Sequence, residues 1–367
     1  MINIESLKGR VKRFQELIKQ KNLDAVMVRT LSSFRYFTGL KWLRPALLIP
    51  AENEPTAFIF KHEVEEFMEK TWISNVKGYL RVEELMGEVS GTIRKLGCKK
   101  IGFDYSVEKD SYVLFFELFK RLNRQVEIVN VHPLIMQLRM VKEDNEIKAT
   151  QKASRIVEVG MRKAVDEVDA GKTELEVAAE AIADMMKKGS ENPHIYITSG
   201  PKPRIHAEPR SNHKIQPNDT VEIVVSADYE GYYSNLTRTV FLGGISTEKR
   251  KAYETFMEIH QKAEENLKPG IKLIEVENML KKLIETRGYG NFYVTGFTHG
   301  VGLLTEEDPI TTIIAPHRQY KILENMVLAS IHAPLPIPRI GTIKIEDTYL
   351  IKINKPEKLT SFSYEPI

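Results

Sequence analysis

Apolar residues along this chain follow a helical period in some stretches and an alternating one in others, and their succession predicts two domains. An amphipathic helix is expected over about residues 5–21, followed by short apolar strands in "DAVMVRT", "PALLIP" and "TAFIF". Helices are expected near 62–72 and 83–96, then a strand in "KKIGFDY" and a helix in "SYVLFFELFKRL". This is an α/β layout. The stretch "VHPLIMQLRMVKEDNEIKA" turns from extended to strongly helical, which places a domain boundary near residue 140.

Beyond it, a helix over about 143–168 repeats Ile156, Gly160, Ala164 and Val157, Met161, Val165 at i, i+4, which gives one apolar stripe. Thr173 followed three residues later by Glu176 predicts a capping box at the next helix. The period then changes to two in "PHIYITSG" and through Val221, Ile223, Val224 and Val225 to a Glu230-Gly231 turn, with a second extended run from Tyr232 to Val240. Two more helices, about 247–267 and 274–287, end at Pro269-Gly270 and Gly288, and Gly-rich extended segments follow. The second domain therefore reads helix–helix–sheet twice, a duplication of pattern rather than of residues. Two such halves would leave a cleft between their sheets.

Charge and cysteine content narrow the classes. Lys and Arg number 53 against 50 Asp and Glu, so bulk charge does not call for nucleic acid or an anionic membrane. No stretch approaches the roughly 20 apolar residues needed to span a bilayer, and the charge-rich start lacks a signal peptide's apolar core, which reads as cytoplasmic. A single cysteine, Cys98, excludes an internal disulfide and a thiolate cluster and is expected in the core or on the surface.

Several motifs in order, "SSFRYFTGL", "LRMVKEDNEI", "GYYSNLTRT", "THGVGLLTEEDP" and "IKIEDTYLI", resemble peptidase family M24 over essentially the full length. The likeness is to its two-domain prolidase, aminopeptidase P and creatinase branch. It implies a creatinase-type α/β domain over 1–140, an α+β pita-bread domain over 141–367, and a homodimer. In catalytic members two divalent metals are held by five residues, and the resemblance places those positions at Val224, Asn235, His299, His332 and Glu346. Valine has no lone pair and asparagine is neutral, so only Glu346 remains to compensate two dications, and a two-metal Mn or Co centre is not expected.

Two alternatives follow. His299, His332 and Glu346 form a two-histidine, one-carboxylate set suited to a single zinc or iron. Otherwise the histidines bond to each other, to Glu346 or to backbone in a cleft without metal. Where relatives carry a further histidine the chain has Glu306, a general acid or base if a dry cleft raises its pKa, while Glu307 and Asp308 read as solvated loop. His206 precedes the hairpin where creatinase, which lacks both hairpin aspartates, uses a loop histidine; His206 is either that residue or an exposed one. Creatine specificity does not carry over, because creatinase keeps a glutamate at the position of His332. Thr237, Arg238 and Thr239 are expected to satisfy the hairpin and neighbouring ligands. Asp228 does not replace the missing charge, since it lies beside the turn.

The function expected is a hydrolase of small peptides or other C–N-bonded substrates without a dinuclear site. The alternative is a non-catalytic pita-bread protein that serves as a binding module.

Overall fold

The computed structural model describes residues 3–106, 108 and 110–365. Met1, Ile2, Pro366 and Ile367, the outer ends of the two predicted domains, lie outside them. The chain divides into two compact units, Met1–Arg139 and Met140–Ile367.

The first unit is a mixed six-stranded sheet flanked by helices. In order across the sheet its strands are Asn75–Tyr79, Thr56–Phe60, Leu47–Pro50, Ala25–Val28, Lys100–Phe103 and Glu127–Asn130. The middle strands are the apolar runs expected from sequence, and both edge strands went unpredicted. Their exposed and half-buried residues carry little apolar signal to read. The motif "SSFRYFTGL" supplies the helix Leu31–Thr38, closed by Gly39 at φ 77°. Cys98 is buried in the core.

The second unit contains the repeated pattern. Helices Asp144–Glu167 and Glu174–Lys187 cover a three-stranded antiparallel sheet, His194–Ser199, Thr220–Tyr229 and Tyr232–Phe241. Helices Thr247–Asn266 and Leu273–Thr286 accompany a five-stranded sheet of Glu307–Ile310, Thr298–Gly300, Val327–Ser330, Asp347–Leu350 and Glu357–Lys358. The Thr173–Glu176 capping box forms as predicted. The first two helices approach so closely that a β-carbon on Gly160 would lie 2.5 Å from the Met185 sulfur.

Alternation along the hairpin sorts its residues by face. Val221, Ile223, Val225 and Ala227 pack into one apolar core with Ile156, Val157, Met161 and Ala164 of the helix behind, as do Leu236 and Val240 of the second strand. The residues between them, Glu222, Val224, Ser226, Asn235, Thr237 and Thr239, must therefore face the other way. Glu230 at φ 49° and Gly231 at φ 77° make the tight two-residue turn. A bridge between Thr237 and Glu346, closed by hydrogen bonds of 3.0 and 3.2 Å, ties that polar face to the second half.

Candidate active site

Three imidazoles form a row in the second unit. The His299 and His332 rings meet edge to face at 4.5 Å, and His206 lies over His332 at 4.4 Å. His299 sits on Thr298–Gly300, between strands bearing Ala329 and Ile310. Its Nδ1 is 2.9 Å from the Gly300 carbonyl, which can only accept, so Nδ1 carries a proton. That Nε2 is buried and makes no hydrogen bond; it faces the Glu346 Oε1 at 3.7 Å.

His332 repeats this logic. Its Nδ1 donates to Glu346 Oε1 at 3.2 Å, and its Nε2 faces Glu306 Oε1 at 3.7 Å. Burial, with the Lys344 charge, pushes its pKa down to about 3 against the opposing pull of Glu346, which keeps the ring neutral. Both Nε2 atoms thus face carboxylate oxygens at 3.7 Å, outside hydrogen-bond distance. That donor set fits a cation. One ligand atom from each of His299, Glu306 and His332 lies within 4.8 Å of the others, the group that could hold a metal among the described residues.

This grouping differs from the expected His299, His332 and Glu346. Glu346 is committed elsewhere: Oε1 holds His332, while Oε2 accepts from Thr237 Oγ1 at 2.9 Å and from the Lys344 ammonium at 3.0 Å. Burial would raise its pKa, yet the Lys344 charge and the His332 hydrogen bond outweigh it and hold the carboxylate well below its ordinary range. Glu346 is therefore the acceptor that fixes the tautomer of His332.

Glu306 reaches the histidines because its neighbours are not a solvated loop. Glu307 is buried in an ion pair with Lys142 at 2.8 Å, and the buried Asp308 carboxylate faces His317 at 3.4 Å. The expectation for Glu307 and Asp308 fails here because a buried cation far away in sequence draws the loop inward. Glycine at 302 in "HGVG" suits the same packing, since a β-carbon there would lie 2.1 Å from the Glu307 carboxylate.

The hairpin wall carries no carboxylate at the two positions in question. Val224 pairs with Thr237, and Asn235 uses its amide to accept from Ser226 Oγ at 2.8 Å and donate to the Thr305 carbonyl at 3.2 Å. Asp228 is spent on Ser190, the amides of Glu191 and Asn192, and the turn amide of Gly231. The "TRT" residues hold the two halves together: Arg238 pairs with buried Asp347 at 2.9 Å, and Thr239 exchanges hydrogen bonds with the backbone of Lys344.

Two residues of the site escaped prediction. Lys344, fully buried, donates to Glu346 and to His206 Nε2 at 3.1 Å. An ammonium cannot accept, so His206 presents an occupied lone pair, and burial together with Lys344 lowers its pKa to about 3. Glu222, also buried, accepts from Thr198 Oγ1 through one oxygen and has no partner for the other. Burial lifts its pKa to about 7 against the pull of Lys344. Alternation offered the signal: Lys344 shares a face with Glu346, and Glu222 with Val224.

Convergent, largely buried histidines and carboxylates, in an α+β unit that follows an α/β domain along the chain, fit a fold of the pita-bread class. Known families agree: residues 148–352 match the metallopeptidase family M24 model, and residues 10–141 match the creatinase/prolidase N-terminal domain. The chain belongs to metallopeptidase family M24. It is similar to the Xaa-Pro dipeptidase of Pyrococcus horikoshii, 29% identical over 99% of this chain and 100% of that protein. The crystal structure of the prolidase from Pyrococcus horikoshii OT3 matches at 30% identity with a TM-score of 0.86, covering 98% of this chain and 100% of the other. Recombinant prolidase from Thermococcus sibiricus matches at 26% identity and a TM-score of 0.90, over 100% and 99% of the two chains. Among the described residues, no helix is long and apolar enough to cross a membrane.

Proposed function

We propose that this protein hydrolyses an amide bond of short peptides in a cleft that takes one divalent cation. The observation that carries the reading is the pair of imidazoles, each with its Nδ1 on an acceptor and its Nε2 turned toward a carboxylate, with Glu306 grouped beside them. Two imidazole nitrogens and one carboxylate oxygen suit zinc or iron(II). Such an ion, when bound, polarises a carbonyl and acidifies water.

The chain's own residues supply the rest. The Gly300 carbonyl and Glu346 orient the two histidines, and Glu222 offers a buried carboxyl that exchanges a proton near neutral pH. His206 is a weaker proton carrier than in a creatinase-like route, because Lys344 already occupies its Nε2. The names of the relatives direct attention to Xaa-Pro dipeptides as first substrates to try, and Val224 and Asn235 argue against the two-metal form of that activity.

The test is elemental analysis after loading with Zn, Fe or Mn, paired with hydrolysis of a dipeptide panel that includes Xaa-Pro. Close to one equivalent of metal, with turnover that chelation removes, is expected. Robust Mn- or Co-dependent cleavage with two equivalents bound would sink the proposal. Folded protein with less than a tenth of an equivalent and no turnover would favour the binding-module alternative.

A further inference from the structure

On the hairpin side of Glu346 the two positions that resemblance assigns to metal-binding aspartates are Val224 and Asn235, and both are uncharged. Glu346 nevertheless directs Oε2 to that side, where Thr237 Oγ1 and the Lys344 ammonium meet it at 2.9 and 3.0 Å. Its other oxygen serves the histidine side. One carboxylate therefore stands between two places for positive charge: the donor set of His299, Glu306 and His332, and the ammonium of Lys344. Lys344 is fully buried, its backbone is pinned by Thr239 in both directions, and its second polar contact is His206 Nε2. Buried Glu222, on the same hairpin face as Val224, also feels its charge.

We propose that Lys344 is a built-in cation that replaces a second divalent metal, so that the cleft accepts one metal ion and is closed to another. The inference builds on the one-cation reading above. It explains the hairpin as well as the lysine. A dication on that side would sit beside an ammonium buried away from water, where like-charge repulsion is strong. With the ammonium already present, carboxylates at 224 and 235 have no second metal to neutralise. Lysine at 344 and the loss of both aspartates are then one change of charge, from a dication held by several carboxylates to a single tethered positive charge paired with Glu346.

The experiment restores the carboxylates with and without the lysine. Val224→Asp/Asn235→Asp and Val224→Asp/Asn235→Asp/Lys344→Met are loaded with Mn2+, desalted and assayed for bound metal alongside the wild type, with folding checked by circular dichroism. The double variant is expected to keep the wild-type stoichiometry and the triple variant to bind one equivalent more. A double variant that gains the extra equivalent with Lys344 intact overturns the proposal, as does a folded triple variant that gains none. If the triple variant does not fold, Lys344→Met alone is titrated with Mn2+. Removal of the ammonium should tighten binding at the His299 site at least tenfold, and unchanged or weaker affinity overturns the proposal. A wild type that binds no metal would refute the one-cation reading, yet the double and triple variants would still decide the role of Lys344.

Discussion

Glu222 is buried on the polar face of the hairpin with one oxygen bonded to Thr198 and the other unpartnered, and its pKa is lifted from the ordinary carboxylate value to about 7. The sign of its effect on stability follows. Below the unfolded pKa both states hold the proton and Glu222 costs nothing. As pH rises toward 7 the unfolded chain ionises first, so folding becomes less favourable, by roughly 3 kcal/mol once pH exceeds the folded pKa. Glu222→Gln keeps a hydrogen bond to Thr198 and removes the ionisation. The variant should gain stability relative to the wild type as pH rises from 5 to 8, measured by urea unfolding across that range; an equal gain at pH 4 and pH 8 would contradict the assignment. Sequence marked neither Glu222 nor Lys344. A motif comparison looks at positions where ligands are expected, and these two act from the positions beside them, visible only once strand alternation is combined with the knowledge of which face holds the core. His299 and His332 were legible because their motifs fix their place. The nearness of Glu306 to them was not, since it depends on the buried Lys142–Glu307 pair that shapes the loop, and those two partners stand 165 residues apart in the chain.

Single elements also serve the site, and the helix Glu174–Lys187 is the clearest case. Its first residue, Glu174, is fully buried and accepts from Arg210 Nε and Nη2 at 3.0 and 2.7 Å, from Arg204 at 3.0 Å, and from Ser199 and the Arg210 amide. Burial alone would raise its pKa, but Arg210 and these hydrogen bonds bring it down to about 2. One carboxylate at a helix start thereby ties down both ends of the segment that carries His206. Glu174→Ala leaves two arginines without their partner, a change that typically costs about 3–5 kcal/mol when a buried pair is broken. The expected outcome is a lower melting temperature together with new proteolytic cleavage between residues 201 and 213. A variant that is destabilised but uncut in that segment would place the role of Glu174 in the helix alone. The capping box one residue earlier was readable from Thr173 and Glu176, because it uses neighbours in sequence; the Glu174 cluster was not, because its partners lie about 25 to 36 residues away.

At the scale of the molecule, the architecture was legible where the chain repeats itself. Two helix pairs, each followed by extended segments, predicted two halves facing a cleft, and the structure contains both sheets with His299, His332 and Glu346 on or beside the later one. The number of metals is a property of the whole cleft, and it sets how stability responds to metal. A cation that binds only the folded protein stabilises it by about 2.7 kcal/mol at a hundredfold excess over its dissociation constant. For a unit of this size that corresponds to roughly 5–10 °C in apparent melting temperature, at about 2–4 °C per kcal/mol. With one site, the stabilisation grows by about 1.4 kcal/mol for each further tenfold of free metal; with two sites it grows twice as steeply. Thermal melts over a zinc series buffered by chelator should therefore give the one-site slope, and His332→Ala should flatten it. On the proposed role of Lys344, its ammonium and the uncharged Val224 and Asn235 wall would hold that slope to the one-site value: a two-site slope in the wild type would mean the hairpin side admits a dication despite them.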